Sequence, residues 1–301
     1  MKWLLFFFPV LLMAAEPSRP HITGVAHIAL FASDYEKAKA FYRDFLGFAE
    51  PYSLNNPDGT PSMTFFKINE RQYIELFPEK QAKTDRLNHI SIETDDAEAM
   101  RVYLGSRGVA VPAKVGKGRI GNSNFNIRDP QGHTVEIVQY EPDGWTVREK
   151  GKHLPASRIA TRMSHVGIIV TALEPEKKFY ADVLGLTETW RGSKSGDELS
   201  WVNLKVPDGD DYIELMVYKE APPPTARGTA HHLCLEVKSV ANSVKILEAR
   251  KAAYAKPIEA KTGINRKRQA NLFDPDGTRT EIMEAVTVDG KPVPSFVGRP
   301  R

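Results

Sequence analysis

The chain has 301 residues, 41% of them hydrophobic and 26% charged, the balance of a globular protein rather than a disordered or fibrous one, and long enough for two domains that each bury a core. A net charge of +3, from 41 basic and 38 acidic residues, is too small for a nucleic-acid binder working by bulk electrostatics. The single cysteine, Cys234, excludes an intramolecular disulfide and a cysteine-based zinc site, so any metal must be held by His, Asp or Glu.

Residues 1–15 read as a secretory signal peptide. Lys2 supplies the positive charge, Trp3 to Met13 form an apolar core too short to span a bilayer unaided, and Ala14 and Ala15 are small residues before Glu16. Met13 suits the cleavage rule poorly, which leaves an uncleaved anchor as the alternative. The expectation is a cleaved, periplasmic or secreted protein with no stable membrane insertion afterwards.

Beyond the leader the chain repeats itself. Phe41-Tyr42-Arg43-Asp44-Phe45-Leu46-Gly47-Phe48 recurs as Phe179-Tyr180-Ala181-Asp182-Val183-Leu184-Gly185-Leu186, an offset of 138, and Asp129-Pro130-Gln131-Gly132 recurs as Asp274-Pro275-Asp276-Gly277, an offset of 145. Two homologous halves follow, residues 21–141 and 160–286, joined by a Gly-, Pro- and charge-rich linker at 142–159 and followed by a tail at 287–301.

Each half divides into two units of one pattern. The first unit opens with an alternating strand over Val25 to Phe31. Ser33-Asp34 then caps an amphipathic helix whose stripe carries Ala38, Phe41, Tyr42 and Phe45, and Gly47 ends it. Strands follow at Met63 to Ile68 and Gln72 to Phe77 around the turn Asn69-Glu70-Arg71. The second unit has a strand at His89 to Glu93, a helix at Ala97 to Gly105, and strands near Asn124 to Ile127 and Thr134 to Gln139 around the Asp-Pro-Gln-Gly turn. The second half repeats both, giving four βαβββ modules of α+β class.

Every module places a histidine on its first strand and a glutamate on its last. The pairs are His27 and Glu75, His89 and Glu136, His165 and Glu214, and His232 and Glu281, with separations of 48, 47, 49 and 49 residues. Each glutamate is flanked by apolar residues, as in Tyr73-Ile74-Glu75-Leu76-Phe77, so alternation sets it on the face opposite the branched aliphatics. A lone carboxylate inside a sheet costs several kcal/mol unless paired, protonated or metal-bound. A single pair could be a half-exposed sheet with solvated partners; four matching pairs point instead to metal ligation. Two imidazoles and two carboxylates suit zinc, nickel, manganese or iron(II) better than calcium, which takes more oxygens.

The paired modules, the Phe-Tyr-x-x-x-Leu-Gly helix end, the Asp-Pro-x-Gly turn and the His/Glu pattern resemble the vicinal oxygen chelate superfamily, which includes glyoxalase I, extradiol dioxygenases and the bleomycin resistance proteins. The resemblance implies two tandem, cupped eight-stranded barrels, each with a divalent metal at its centre. It implies His27, Glu75, His89 and Glu136 as one ligand set and His165, Glu214, His232 and Glu281 as the other, similar to that of bacterial glyoxalase I. It also implies lyase or isomerase chemistry by proton transfer on a small oxygen-rich substrate, with Glu136 or Glu281 as the mobile base.

Extradiol ring cleavage is the alternative activity. It is weakened because Asn126 and Asn271 stand where that group has a tyrosine before the Asp-Pro turn, and no histidine precedes them in either loop. Non-catalytic binding or sequestration of a small molecule is the third reading. Cys234, alternating with Leu233 and Leu235, reads as packing. Aligning Asn88-His89 with His231-His232 selects His232 over His231 as the ligand, and His133 and His153 read as solvated. The basic loops at 114–119 and 265–268 are solvated turns or the receivers of an anionic substrate. Oligomeric state is not legible.

Overall fold

Alternating apolar and polar residues give strands, and in a computed structural model describing residues 16–250 and 256–298 those strands form two eight-stranded sheets. The leader at 1–15 lies outside the described residues. In the first half the strands are β1 (Ile22–Ala32), β2 (Ala49–Asn55), β3 (Pro61–Lys67), β4 (Tyr73–Pro78), β5 (Leu87–Thr94), β6 (Gly116–Lys117), β7 (Ser123–Arg128) and β8 (Thr134–Gln139). Their order across the sheet is β2-β3-β4-β1-β5-β8-β7-β6. The second half has β9 (Arg162–Val170), β10 (Thr187–Ser193), β11 (Leu199–Lys205), β12 (Tyr212–Val217), β13 (His232–Glu236), β14 (Lys261–Thr262), β15 (Lys267–Phe273) and β16 (Arg279–Thr287), in the same order. These are two curled half-barrels of mixed α+β class. β2 and its counterpart β10 are the first strands after the helix in their modules; Pro51 and the polar run around it hide β2 from a pattern search.

The pairing explains how four distant residues meet. β1 runs antiparallel to β5 and parallel to β4, and β5 runs parallel to β8, so the first and last strands of two modules form the middle of one sheet. On one face Ile28, Leu30, Ile74, Leu76, Ile90 and Ile137 are fully or almost fully buried in the core. Each contributes about 1.5–3 kcal/mol of burial. His27, Glu75, His89 and Glu136 occupy the other face.

Helices cover the aliphatic face. Asp34 caps α1 (Tyr35–Ala40) by accepting from Lys37 N, and Asp96 caps α2 (Ala97–Ser106) by accepting from Ala99 N. The first helix continues through Phe41–Phe45 as a wider turn in which Leu46 N bonds Phe41 O, five residues back, and Leu184 N repeats this with Phe179 O. Gly47 and Gly185, both at φ +81°, then reverse the chain where an L side chain would be strained. The segment at 142–159 does more than connect. It carries a short helix, α3 (Trp145–Arg148), whose Trp145 is buried against Tyr52, Phe65 and Tyr73.

The buried apolar residues of the two halves form one continuous cluster, and polar contacts join the halves as well. Gln72 bonds both the N and the O of Met163, and Asp211 accepts from Val25 N. No helix among the described residues is long and apolar enough to cross a membrane.

Candidate metal centres

The ring nitrogens and carboxylates of the first half converge. His27 Nε2 and His89 Nε2 are 3.0 Å apart. His27 Nε2 lies 3.4 Å from Glu75 Oε1 and 3.8 Å from Glu136 Oε2, and His89 Nε2 lies 3.6 Å from Glu75 Oε2 and 3.3 Å from Glu136 Oε2. Donor atoms about 2.1 Å from one ion stand roughly 3.0–3.4 Å apart at cis to tetrahedral angles, and His27, Glu75 and His89 offer ligand atoms close enough together to share one divalent ion, with Glu136 beside the two histidines. All four residues are nine-tenths or more buried.

Orientation supports ligation. His89 Nδ1 faces Asn88 Oδ1 at 3.2 Å, which leaves Nε2 free to ligate, and the imidazole of His27 stacks on Tyr73 with centroids 5.3 Å apart. Burial lowers the pKa of His27 to about 3, so its imidazole is neutral, the form that binds a metal. Burial, then the charge of Glu136, pushes Glu75 well up. Burial opposes ionisation of Glu136 too, but the hydrogen bond from His89 and the neighbouring imidazoles outweigh it and hold that carboxyl below its ordinary value. Asn124 Nδ2 donates to Glu136 Oε1 at 3.2 Å.

The second half rebuilds the same set with differences. His165 Nε2 and His232 Nε2 are 3.2 Å apart, Glu281 Oε2 lies 3.5 and 3.9 Å from them, and Glu214 Oε2 lies 3.5 Å from His232 Nε2. His165 stacks on Tyr212 at 4.4 Å. Arg279, two residues before Glu281, occupies the place of Thr134, and its Nη2 is 2.8 Å from His232 Nδ1, which also lies 2.7 Å from Ala230 O. Burial, then Arg279, drives His232 well below its ordinary range.

Cys234 is fully buried, but on the ligand face, grouped with His165 and Glu281 rather than with its aliphatic neighbours. Burial, then Glu281, pushes its thiol well up, so it is neither nucleophile nor thiolate. Ser91 holds the equivalent place in the first half. His231 turns away to Asp85, 3.5 Å from its Nε2. His133 departs from the solvated expectation: its Nδ1 lies 2.6 Å from Asp129 Oδ2, and its ring packs against His231 across the two halves. His153 is exposed beside Glu149. In the basic loops Lys117 pairs with Asp143 and Arg266 with Asp289, while Arg119 lines the first pocket and Asn265 the second.

A family model described as Glyoxalase/Bleomycin resistance protein/Dioxygenase superfamily matches residues 24–137 and 162–282. The chain belongs to this superfamily. Within it, lactoylglutathione lyase of Schizosaccharomyces pombe is 23% identical over 268 residues, covering 81% of this chain and 84% of that one. The uncharacterized protein YaeR of Escherichia coli is 33% identical over 92 residues, 28% of this chain and 71% of its own. Among solved structures, the Mn(II)-bound glyoxalase of Novosphingobium aromaticivorans superposes with TM-score 0.66 at 17% identity, covering 92% of this chain and 85% of that one. An extradiol ring-cleaving dioxygenase of Brevibacterium fuscum superposes with TM-score 0.67 at 18% identity, covering 93% and 76%. At such identities the structures of these superfamily members establish the shared fold.

Proposed function

We propose that the first half is the catalytic centre of an exported, divalent-metal-dependent lyase or isomerase that moves a proton on a small oxygen-rich molecule. The observation that carries this reading is that Glu75 and Glu136 each lie 3.3–3.8 Å from the Nε2 atoms of His27 and His89, themselves 3.0 Å apart, lining a pocket of about 320 Å³. The glyoxalase-type relatives and the leader at 1–15 support the chemistry and the export respectively.

A divalent ion held by these four residues would supply Lewis acidity to two adjacent substrate oxygens. The rest falls to the chain. His27 presents a neutral imidazole, His89 directs its Nε2 into the site, and Tyr73, Phe65 and Phe77 line the pocket and exclude water. Glu136 is the base: its carboxylate is held in the ionised range, takes the proton from the carbon next to the carbonyl and returns it to the neighbouring atom. Asn124, bonded to Glu136 Oε1, keeps a partner on that carboxylate as it moves.

The test is proton exchange. Protein loaded in turn with manganese, nickel, zinc or iron(II) is incubated with dihydroxyacetone in deuterated water and followed by NMR. Deuterium should enter next to the carbonyl, and Glu136→Gln should slow this by about 10²-fold or more. Absence of exchange with every metal, together with oxygen uptake on catechol, would replace this reading with ring cleavage.

A further inference from the structure

The second pocket is not a copy of the first. Its cavity, about 520 Å³, is larger, and it is lined by two half-buried tryptophans, Trp190 and Trp201, and by three cations, Arg279, Lys194 and Lys261. The first pocket has one cation, Arg119, which already donates to Ser62 Oγ and Asn55 O. Among the described residues no ion pair within 4.0 Å holds Lys194 or Lys261, while Glu214 and Glu281 line the same cavity and attract Arg279 at longer range, leaving three cations against two carboxyl groups.

Two buried polar atoms at this pocket have no partner. Arg279 Nε is shielded from solvent and bonded to nothing, and so is Asn271 Oδ1. A buried unmet donor costs about 1–3 kcal/mol, which a ligand acceptor would remove. Among the described residues the guanidinium has one hydrogen-bond partner, His232 Nδ1, and it is a poor one. That nitrogen faces Ala230 O at 2.7 Å, and a proton donated there leaves no lone pair for Arg279. Both demands cannot be met at once, and an acidic ligand resolves them by taking the guanidinium.

The aromatic wall is placed for a flat group. Gly192 allows the Trp190 indole to lie across its own strand, where a Cβ would overlap the ring, and Trp190 Nε1 donates to Pro294 O at 3.3 Å. Trp201 stands on the neighbouring strand, in register with Gly192. Glu214 and Glu281 in the same cavity disfavour a dianion, since like charges repel at short range.

We propose that the second pocket binds a planar aromatic monocarboxylate, with Arg279 as its counter-charge and Trp190 and Trp201 as its walls, and that this binding needs no divalent ion. The assignment does not depend on the chemistry read for the first half. A guanidinium matches a carboxylate in geometry, and indole faces stack on a flat ring while the carboxylate end reaches the cation.

The experiment is calorimetric titration of the chelator-treated full chain with 2-naphthoate, with its neutral isostere 2-naphthamide and with inorganic phosphate. Naphthoate should bind at one site per chain, at least tenfold more tightly than the amide, and phosphate should not compete. Arg279→Gln should weaken naphthoate at least tenfold and leave the amide unchanged, and Trp145→Phe, behind Phe65 and Tyr73 of the first pocket, should change neither. Because Arg279→Gln reaches a buried position, Lys261→Glu on an exposed strand provides a second variant, expected to weaken naphthoate several-fold. Equal binding of acid and amide, competition by phosphate, a requirement for added manganese, or unchanged affinity in both cation variants would each overturn the proposal.

Discussion

Tyr42 of the first half donates its hydroxyl to Asp274 of the second at 3.2 Å, and Tyr180 of the second half returns the contact to Asp129 of the first at 3.1 Å. Each tyrosine sits in the widened last turn of its helix, and each aspartate opens the Asp-Pro-x-Gly turn of the opposite half. Thus the two motifs that reveal the repeat in the sequence are also the two that meet across the halves. The turn aspartate serves both roles: Asp274 Oδ1 accepts from Asp276 N and Thr278 N, while Oδ2 takes the tyrosine.

This contact predicts a pH dependence. Burial raises the Asp274 carboxyl to about 7, and burial together with Asp129 raises Glu176, at the other half's contact, to about 8. Both lie above their unfolded values, so the folded state binds protons more tightly between about pH 4 and pH 8. This stability is therefore fully present below the unfolded pKa, falls progressively as pH rises above about 4, and is lost once pH passes the folded values of about 7 and 8. Thermal unfolding from pH 5 to 8 should show the later part of that fall, and Asp274→Asn should flatten it by up to about 3 kcal/mol. A fall of equal size in the variant would remove Asp274 as its source.

How much of the site is legible in the sequence follows from which signals are local. Glu75 between Ile74 and Leu76, and Glu136 between Val135 and Ile137, declare their face by alternation alone, and the module repeat places the four His/Glu pairs. Sheet pairing then depends on β1 meeting β5, which chain order suggests but no single residue encodes. Trp145 escapes notice because its segment is rich in Gly, Pro and charge, although it packs on Phe65 and Tyr73 of the first pocket's wall. Arg279 escapes because Thr278-Arg279-Thr280 reads as the end of a turn; setting it beside Thr134 in the aligned halves is the signal that finds it. The contact of His133 with His231 joins residues almost a hundred positions apart, which no periodicity reports.

Removing a first-half carboxylate should separate the two candidate centres. Glu75→Gln turns one of the two carboxylate oxygens that face His27 and His89 into an amide nitrogen and removes the charge, whereas Glu214→Gln acts in the second half, beside His165 and His232. In manganese titrations followed by electron paramagnetic resonance, Glu75→Gln should weaken the tighter site by more than tenfold, the scale seen even for indirect partners of metal ligands. Glu214→Gln should leave that site unchanged. Identical binding in both variants would refute the ligand assignment.

Trp145→Ala tests whether the connecting segment belongs to the first half's pocket wall. The ring packs on Tyr52, Phe65 and Tyr73, with centroids 5.6–5.9 Å away, and Tyr73 is the platform beneath His27. Truncation should destabilise the protein by about 3–5 kcal/mol in denaturant unfolding. A loss below 1 kcal/mol would mean that the segment closes onto the wall without it.

Gly167 marks the sharpest local difference between the halves. Its counterpart is Ala29: both sit opposite the glutamate of β4 or β12 and opposite the histidine of β5 or β13. Yet a Cβ on Gly167 would overlap the Cε1 and Nδ1 of His232, while Ala29 carries its methyl, fully buried, beside His89. The His232 ring therefore lies against the backbone of β9, where Arg279 reaches its Nδ1. Gly167→Ala must push that ring aside, a buried overpacking that costs about 1–3 kcal/mol. It should shift the His232 ring signals in NMR and leave those of His27 and His89 in place, because the two sets belong to separate sheets. Coincident shifts at both sets would show that the halves are coupled through β1 and β9 rather than independent.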